Sequence, residues 1–212
     1  MCQEAARAGY GVSMFERLSW GLVQPHLLDT QYRMHPQLAQ YPSQAFYGGR
    51  MRSGVTAAQR PSALEWPCAA VPGYFHDVEG QEGRVGHSRT NEKEATVVAQ
   101  LVKWALQQGV EAADIAVIAT FAAQVRTILA QLQSMGLGWG GVTVNTVDAY
   151  QGQERPYIII SYVRSGPGSL GFVDDERRIN VAITRAQKAR VCVGHRATLR
   201  RSAALRGLIE EY

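Results

Sequence analysis

Apolar positions alternate between two periods along the chain. After a capping pair, Asn91 and Glu94, the residues Ala95, Val98, Leu101, Val102, Ala105 and Leu106 recur at helical spacing until Gly109 stops the run. This predicts an amphipathic helix. A short apolar run follows at Ile115 to Ile118, a second helical stretch from about Gln124 to Met135, then short runs at Val142 to Thr146, Tyr157 to Tyr162 and Val191 to Val193. Short apolar runs separated by helices describe a parallel sheet covered on both faces. The predicted class is α/β, doubly wound. The Gly, Pro and polar stretches Gly48 to Pro72 and Gly80 to Ser88 read as surface insertions, and no repeat or low-complexity tract occurs.

The first 28 residues stand apart. Ser13 to Trp20 reads as a helix, and Pro25 to Thr30 as a strand leading into Gln31 to Pro36, with a further helix beginning near Pro36. One helix and one strand cannot bury their own faces, so this segment must pack on something else. Residues 1–28 are therefore expected to be the end of a preceding domain, and 29–212 the domain proper.

Composition narrows the classes. With 212 residues, 46% hydrophobic and 19% charged, the chain can bury a core. Twenty-two Lys and Arg against 18 Asp and Glu give a formal +4, which favours polyanions. Cys2, Cys68 and Cys192 have neither metal-ligand nor redox spacing, and an odd number argues against a disulfide framework. No apolar run approaches the roughly 18 residues of a membrane span, and no leader pattern occurs at Met1. A soluble, intracellular protein without a membrane partner is expected.

Three clusters suit phosphate chemistry. In Gln31-Tyr32-Arg33-Met34-His35-Pro36, a guanidinium follows a strand and precedes a helix, a junction where ligands sit in α/β sheets. The bland alternative is a solvated loop arginine. In Val147-Asp148-Ala149-Tyr150-Gln151-Gly152-Gln153-Glu154, Gly152 permits close backbone approach and Glu154 can accept from ribose hydroxyls, although such a loop alone is more often a turn. In Arg177 to Arg185, Ile179, Ala182 and Ile183 form a buried stripe, and Arg178 and Arg185, seven apart, lie near one face of the helix. A basic helix face is usually just solvated.

These clusters resemble, in family order, the QYRMHP, VDAFQGxE and RRLNVALTR motifs of the up-frameshift-like superfamily one helicases. Ser13 to Leu18, Tyr41 to Tyr47, Gly54 to Ala58 and Gly171 to Asp175 are also similar, so the resemblance covers nearly the whole chain. It implies a RecA-like fold of the P-loop NTPase type, here the second of two motor domains, with ATP between the domains and single-stranded nucleic acid crossing both. Carried over, Arg33 would contact the γ-phosphate, Gly152 the phosphate region and Glu154 the ribose, and Arg185 would be the arginine finger. Thr120, Phe121, Thr146 and Asp148 would face the nucleic acid, and Asp148 is read equally well as a structural acceptor. The resemblance further implies RNA helicase activity in nonsense-mediated mRNA decay or related RNA metabolism, in the cytoplasm or nucleus.

Two departures qualify this. Where the family has Thr-Pro-Tyr, the chain reads Ala119-Thr120-Phe121, which moves a hydroxyl contact onto Thr120 or removes it; Phe121 could stack on a base, but burial is the commoner explanation. No G-x-x-x-x-G-K-S/T loop occurs, and no Asp-Glu pair suited to magnesium precedes residue 13. ATP with Mg2+ would therefore need a first RecA-like domain, in cis or in trans, to bring the phosphate loop and metal ligands; no metal ligand is assigned here. DNA helicases of the same family and a non-catalytic nucleic-acid-binding module are the alternatives. A dinucleotide-binding enzyme fails for want of G-x-G-x-x-G after a first strand.

Overall fold

The computed structural model describes residues 3–67, 71–137 and 140–212, so Cys2 and Cys68 lie outside the described residues. Along the chain come α1 (Gln3–Ala5), α2 (Met14–Ser19), β1 (Thr30–Gln31), α3 (Pro36–Tyr47), β2 (Arg52–Ser53), β3 (Gly73–Asp77), the hairpin strands β4 (Gly83–Val85) and β5 (Ser88–Thr90), and α4 (Glu92–Gln107). Then follow β6 (Ile115–Ala119), α5 (Ala122–Ser134), β7 (Thr143–Thr146), β8 (Arg155–Ser161), α6 (Glu176–Ile183), β9 (Ala186–Gly194), α7 (Arg196–Leu199) and α8 (Ala203–Glu210). Five strands form a sheet in the order β3-β9-β8-β6-β7, and every pairing in it is parallel.

The strand period of two sorts the core into two layers. Ala116, Ile118, Ile158, Ile160 and Cys192 face Leu38 and Ala39 of α3, Ile179 and Ala182 of α6, and Leu205 and Leu208 of α8. Ile115, Val117, Ile159 and Val191 face Ala95, Val98 and Val102 of α4 and Ile128 of α5. Both faces are covered, as the continuous apolar runs require.

A buried polar network pins α4 to the sheet. Asn91 caps the helix by accepting from Glu94 N (3.1 Å), and the Glu94 carboxylate accepts from Ser161 Oγ and Val163 N, both at 2.8 Å. Asn91 Nδ2 donates to Val163 O (3.2 Å), and Gln124 Nε2 donates to Asn91 O (3.0 Å). Val163 thereby holds a left-handed φ of 69°, unusual for a β-branched residue.

The structure departs from the sequence expectations in several places. Of the strand expected at Pro25 to Thr30 only Thr30 survives; with Gln31 it pairs with Arg52 and Ser53, apart from the main sheet. Leu28 is 90% exposed, with no ladder to join. The two expected insertions contain β2 and, in the second, β4 with its turn, the hairpin running on through β5 to Thr90, and β9 extends well before Val191. Ser13 caps α2 as expected, accepting from Glu16 N at 3.1 Å.

Candidate functional site

Glu154 directly precedes β8 and Arg185 directly precedes β9, and the pairing of Arg155 with Ala186 sets them side by side at the N-terminal ends of the central strands. Arg33 joins them from the loop between β1 and α3. The Gln31 side chain shapes that loop, accepting from Arg33 N (2.9 Å) and Met34 N (2.7 Å), and His35 N ties it to Gln187 O (2.7 Å). Arg33 Nε is ion-paired with Glu154, and Arg33 Nη1 donates to Thr184 O at 3.0 Å. Gln187 Nε2 donates to the other Glu154 oxygen at 2.8 Å.

The Arg185 guanidinium folds back on its own chain, donating to Val181 O and Thr184 Oγ1 at 2.8 Å and lying 3.5 Å from Gln153 O. Burial and the neighbouring Arg33 charge lower its pKa, partly offset by Glu154. Burial also works against the Glu154 charge, but hydrogen bonds from Arg33 and Gln187 and the two arginine charges outweigh it, so the carboxyl is held below its ordinary value. Tyr150 Oη and Arg155 Nε are buried without a partner among the described residues.

This set fits a nucleotide's anionic and hydroxyl groups: two guanidinium groups and one carboxylate. It does not fit a magnesium ion. The single carboxylate is engaged by Arg33 and Gln187, and among the described residues no group of three His, Cys, Asp or Glu gathers.

A second site opens at the C-terminal ends of β6, β7 and β8. After β6 the chain enters α5 on one face of the sheet, and after β8 it goes to α6 on the other. Such a divergence leaves the crevice where α/β sheets bind ligands. A cavity of about 420 Å³ occupies it, lined among others by Thr120, Phe121, Thr146, Asp148 and Arg178. The four residues expected at the nucleic acid are thus brought together. Thr120 Oγ1 donates to Tyr162 O (2.9 Å), tying the two strand ends. Asp148 takes both Arg178 Nε (3.0 Å) and Nη2 (3.1 Å), an arrangement that raises the Arg178 pKa, so its structural role is realised at the pocket rim.

Phe121 is buried against Phe172, ring centroids 4.6 Å apart, and forms part of the cavity wall. Phe172 is the exposed aromatic, with the Arg178 guanidinium 5.2 Å from its centroid. It was legible only as part of Gly171 to Asp175.

The sequence profile of a family described as "AAA domain" matches residues 10–197. A regulator of nonsense transcripts 1 homolog from Arabidopsis thaliana is 38% identical over 222 residues, covering 100% of this chain and 18% of that protein. The ATP-dependent helicase NAM7 of Saccharomyces cerevisiae is 38% identical over 94% of this chain and 22% of its own length. The chain belongs to that AAA-domain family, and its sequence is similar to these relatives over nearly all of its length. It spans about a fifth of those relatives' length. A solved C-terminal domain of a possible DNA helicase from Lactobacillus plantarum is 12% identical, with a TM-score of 0.47, over 78% of this chain and 88% of that one.

In this domain two segments run from the crevice to the arginine cluster. Residues 147–154 leave the C-terminal end of β7 and arrive at the N-terminal end of β8, carrying Asp148 at one end and Glu154 at the other. Helix α6 runs alongside, from Arg178 toward Arg185. The expectation that those two arginines share a helix face is corrected: α6 ends at Ile183, Thr184 closes it with a 2.6 Å bond from Oγ1 to Asn180 O, and Arg185 begins the approach to β9. The reading of Arg33 as a residue of the sheet's ligand-binding edge is corrected too. It sits at the opposite, N-terminal end, after a two-residue strand outside the main sheet.

Gly152 lies in the crossing segment with φ 85°, and nothing lies within 4 Å of where its Cβ would be. The chain therefore needs glycine there for its conformation, and no protein backbone approaches it closely. Gly152→Ala should lower stability by about 1–2 kcal/mol through left-handed strain alone, measured by urea unfolding. An unchanged midpoint would contradict this.

Proposed function

We propose that this chain is the second motor domain of an ATP-dependent RNA helicase, working on single-stranded RNA in nonsense-mediated mRNA decay or a related process. The observation that carries the reading is that a nucleotide-suited arginine cluster and a crevice pocket sit at opposite ends of one sheet and are joined by the same two segments, 147–154 and α6.

In this reading residues 1–28 belong to a preceding RecA-like domain, and 29–212 form the second. The exposed side chains of Tyr10, Phe15, Trp20, Leu22 and Leu28 support it, since such a surface ordinarily has a cover. Bound ATP supplies the phosphoryl group that is transferred to water. Arg33 would hold the γ-phosphate, Glu154 the ribose hydroxyls and the Gly152 turn the phosphate region, and Arg185 would neutralise the charge that develops in the transfer. Phosphoryl transfer is catalysed mainly by positioning and charge stabilisation, which these groups provide. Magnesium ligands and the phosphate loop come from the first domain, so the chain alone is expected to show no nucleic-acid-stimulated ATP hydrolysis. Turnover by the purified chain, surviving removal of contaminants, would overturn that division of labour.

Binding to single strands tests the polyanion half of the proposal. The chain should bind labelled RNA weakly, with little sequence preference, and its affinity should fall steeply as salt rises. Fluorescence anisotropy across a salt series decides it; affinity independent of salt counts against an electrostatic channel.

A further inference from the structure

We propose that the crevice cavity seats one nucleobase of the bound strand, turned out from its neighbours, with the β4–β5 hairpin as the wall beside it. This rests on the nucleic-acid reading above and goes beyond it in assigning the base, and not the phosphate, to the cavity.

The lining decides between the two. The cavity, about 420 Å³, lies within the 300–1,000 Å³ typical of small-molecule sites. Its buried surface is apolar: Val147, Tyr162, Val173, Ile179 and Ala182 are each almost wholly covered. A phosphate placed there would lose its water against hydrocarbon, at a cost no partner offsets. The one cation of the lining with a permanent charge, Arg178, already spends Nε and Nη2 on Asp148. A flat aromatic ring loses nothing on such a surface and gains stacking area.

The rim supplies what a base edge needs. Ser88 Oγ accepts from Ala123 N (3.0 Å) and Thr146 Oγ1 from Ala149 N (3.3 Å), and neither hydroxyl donates to any other described residue. Two O–H groups are thus oriented and available for ring nitrogens or carbonyls, which every base carries, so the site holds a base without choosing its identity.

The hairpin is fixed firmly enough to be a wall. Its turn is made by Gly86, at φ 60°, and His87, and His87 and Ser88 line the cavity. Glu82, just before β4, is ion-paired with Arg89 of β5, and its other oxygen lies 2.9 Å from Arg164 Nε and accepts from Ser165 N at 3.2 Å. These contacts tie the hairpin to the chain leaving β8. The exposed Phe172 stands at the same cavity on the other segment.

The test compares intact and abasic RNA on the full chain. A uridine oligomer should bind at least about tenfold more tightly than the same backbone with abasic positions throughout, the effect expected of one stacked base. A single 2-aminopurine moved along an oligomer short enough to bind in one register should give one position whose fluorescence on binding differs from the rest. The double substitution His87→Ala with Phe172→Ala should erase both signals while leaving the abasic strand's affinity and salt dependence as they were. Equal binding of intact and abasic strands, with uniform 2-aminopurine response, would overturn the proposal and leave the backbone channel standing. Absence of salt-sensitive binding for every strand would instead overturn the reading beneath it.

Discussion

Arg185→Ala, in a protein that joins this chain to a compatible first RecA-like domain, is expected to lower ATP turnover by about a thousandfold to a hundred-thousandfold, the range over which arginine fingers act. RNA affinity should stay nearly unchanged, because Arg185 lies at the opposite end of the sheet from the crevice. Its guanidinium also donates to Val181 O and Thr184 Oγ1. Their loss should cost about 1 kcal/mol, a shift of a few degrees in Tm and no unfolding. Arg185→Lys should recover little turnover, since an ammonium cannot reproduce the planar fork. Turnover within a few-fold of the parent, or an unfolded variant, would show that Arg185 is a helix-end residue and nothing more.

Glu94 should make the fold less stable as pH rises. Burial pushes its carboxyl from 4.5 to about 8, against the lowering effect of hydrogen bonds from Val163 and Ser161. Below pH 4.5 both folded and unfolded chains hold the proton, and no penalty arises. Between 4.5 and about 8 the unfolded chain releases a proton that the folded chain keeps, so stability falls with pH through that window. The slope from this one group approaches about 1.4 kcal/mol per pH unit. Urea midpoints across the window should fall for the parent relative to Glu94→Gln, which has no charge to release. Parallel curves would mean that the carboxylate is ionised inside the fold, balanced by its donors.

The sheet centre was legible because β6 and β8 are buried on both faces and carry unbroken apolar runs. β9 was legible only from Val191, because Gln187, Lys188 and Arg190 interrupt its pattern. Arg190 is nonetheless fully buried, held by Ile183 O (2.8 Å) at the end of α6 and by Glu211 (2.9 Å) and Tyr212 Oη (2.7 Å) at the far end of the sequence, contacts invisible to periodicity. The edge strand β3 hid behind Gly73, His76 and Asp77. At the site, motif residues were legible one by one but not which end of the sheet each would reach. Parallel strands force residues 147–154 to cross from one end to the other, so Asp148 and Glu154, six apart, serve different sites. Arg178 and Arg185 separate because Thr184 closes α6.

The exposed apolar side chains between Tyr10 and Leu28 set how the chain behaves in a tube. Two forces respond to salt in opposite directions: ions screen attraction to a strand of phosphates, whereas excluded salts such as sulfate strengthen contact between greasy surfaces. Raising sulfate should therefore trade strand-bound monomers for scattering clusters, and a purification that strips nucleic acid with such salt will favour precipitation at the same step. Dilute, low-salt handling keeps the two apart.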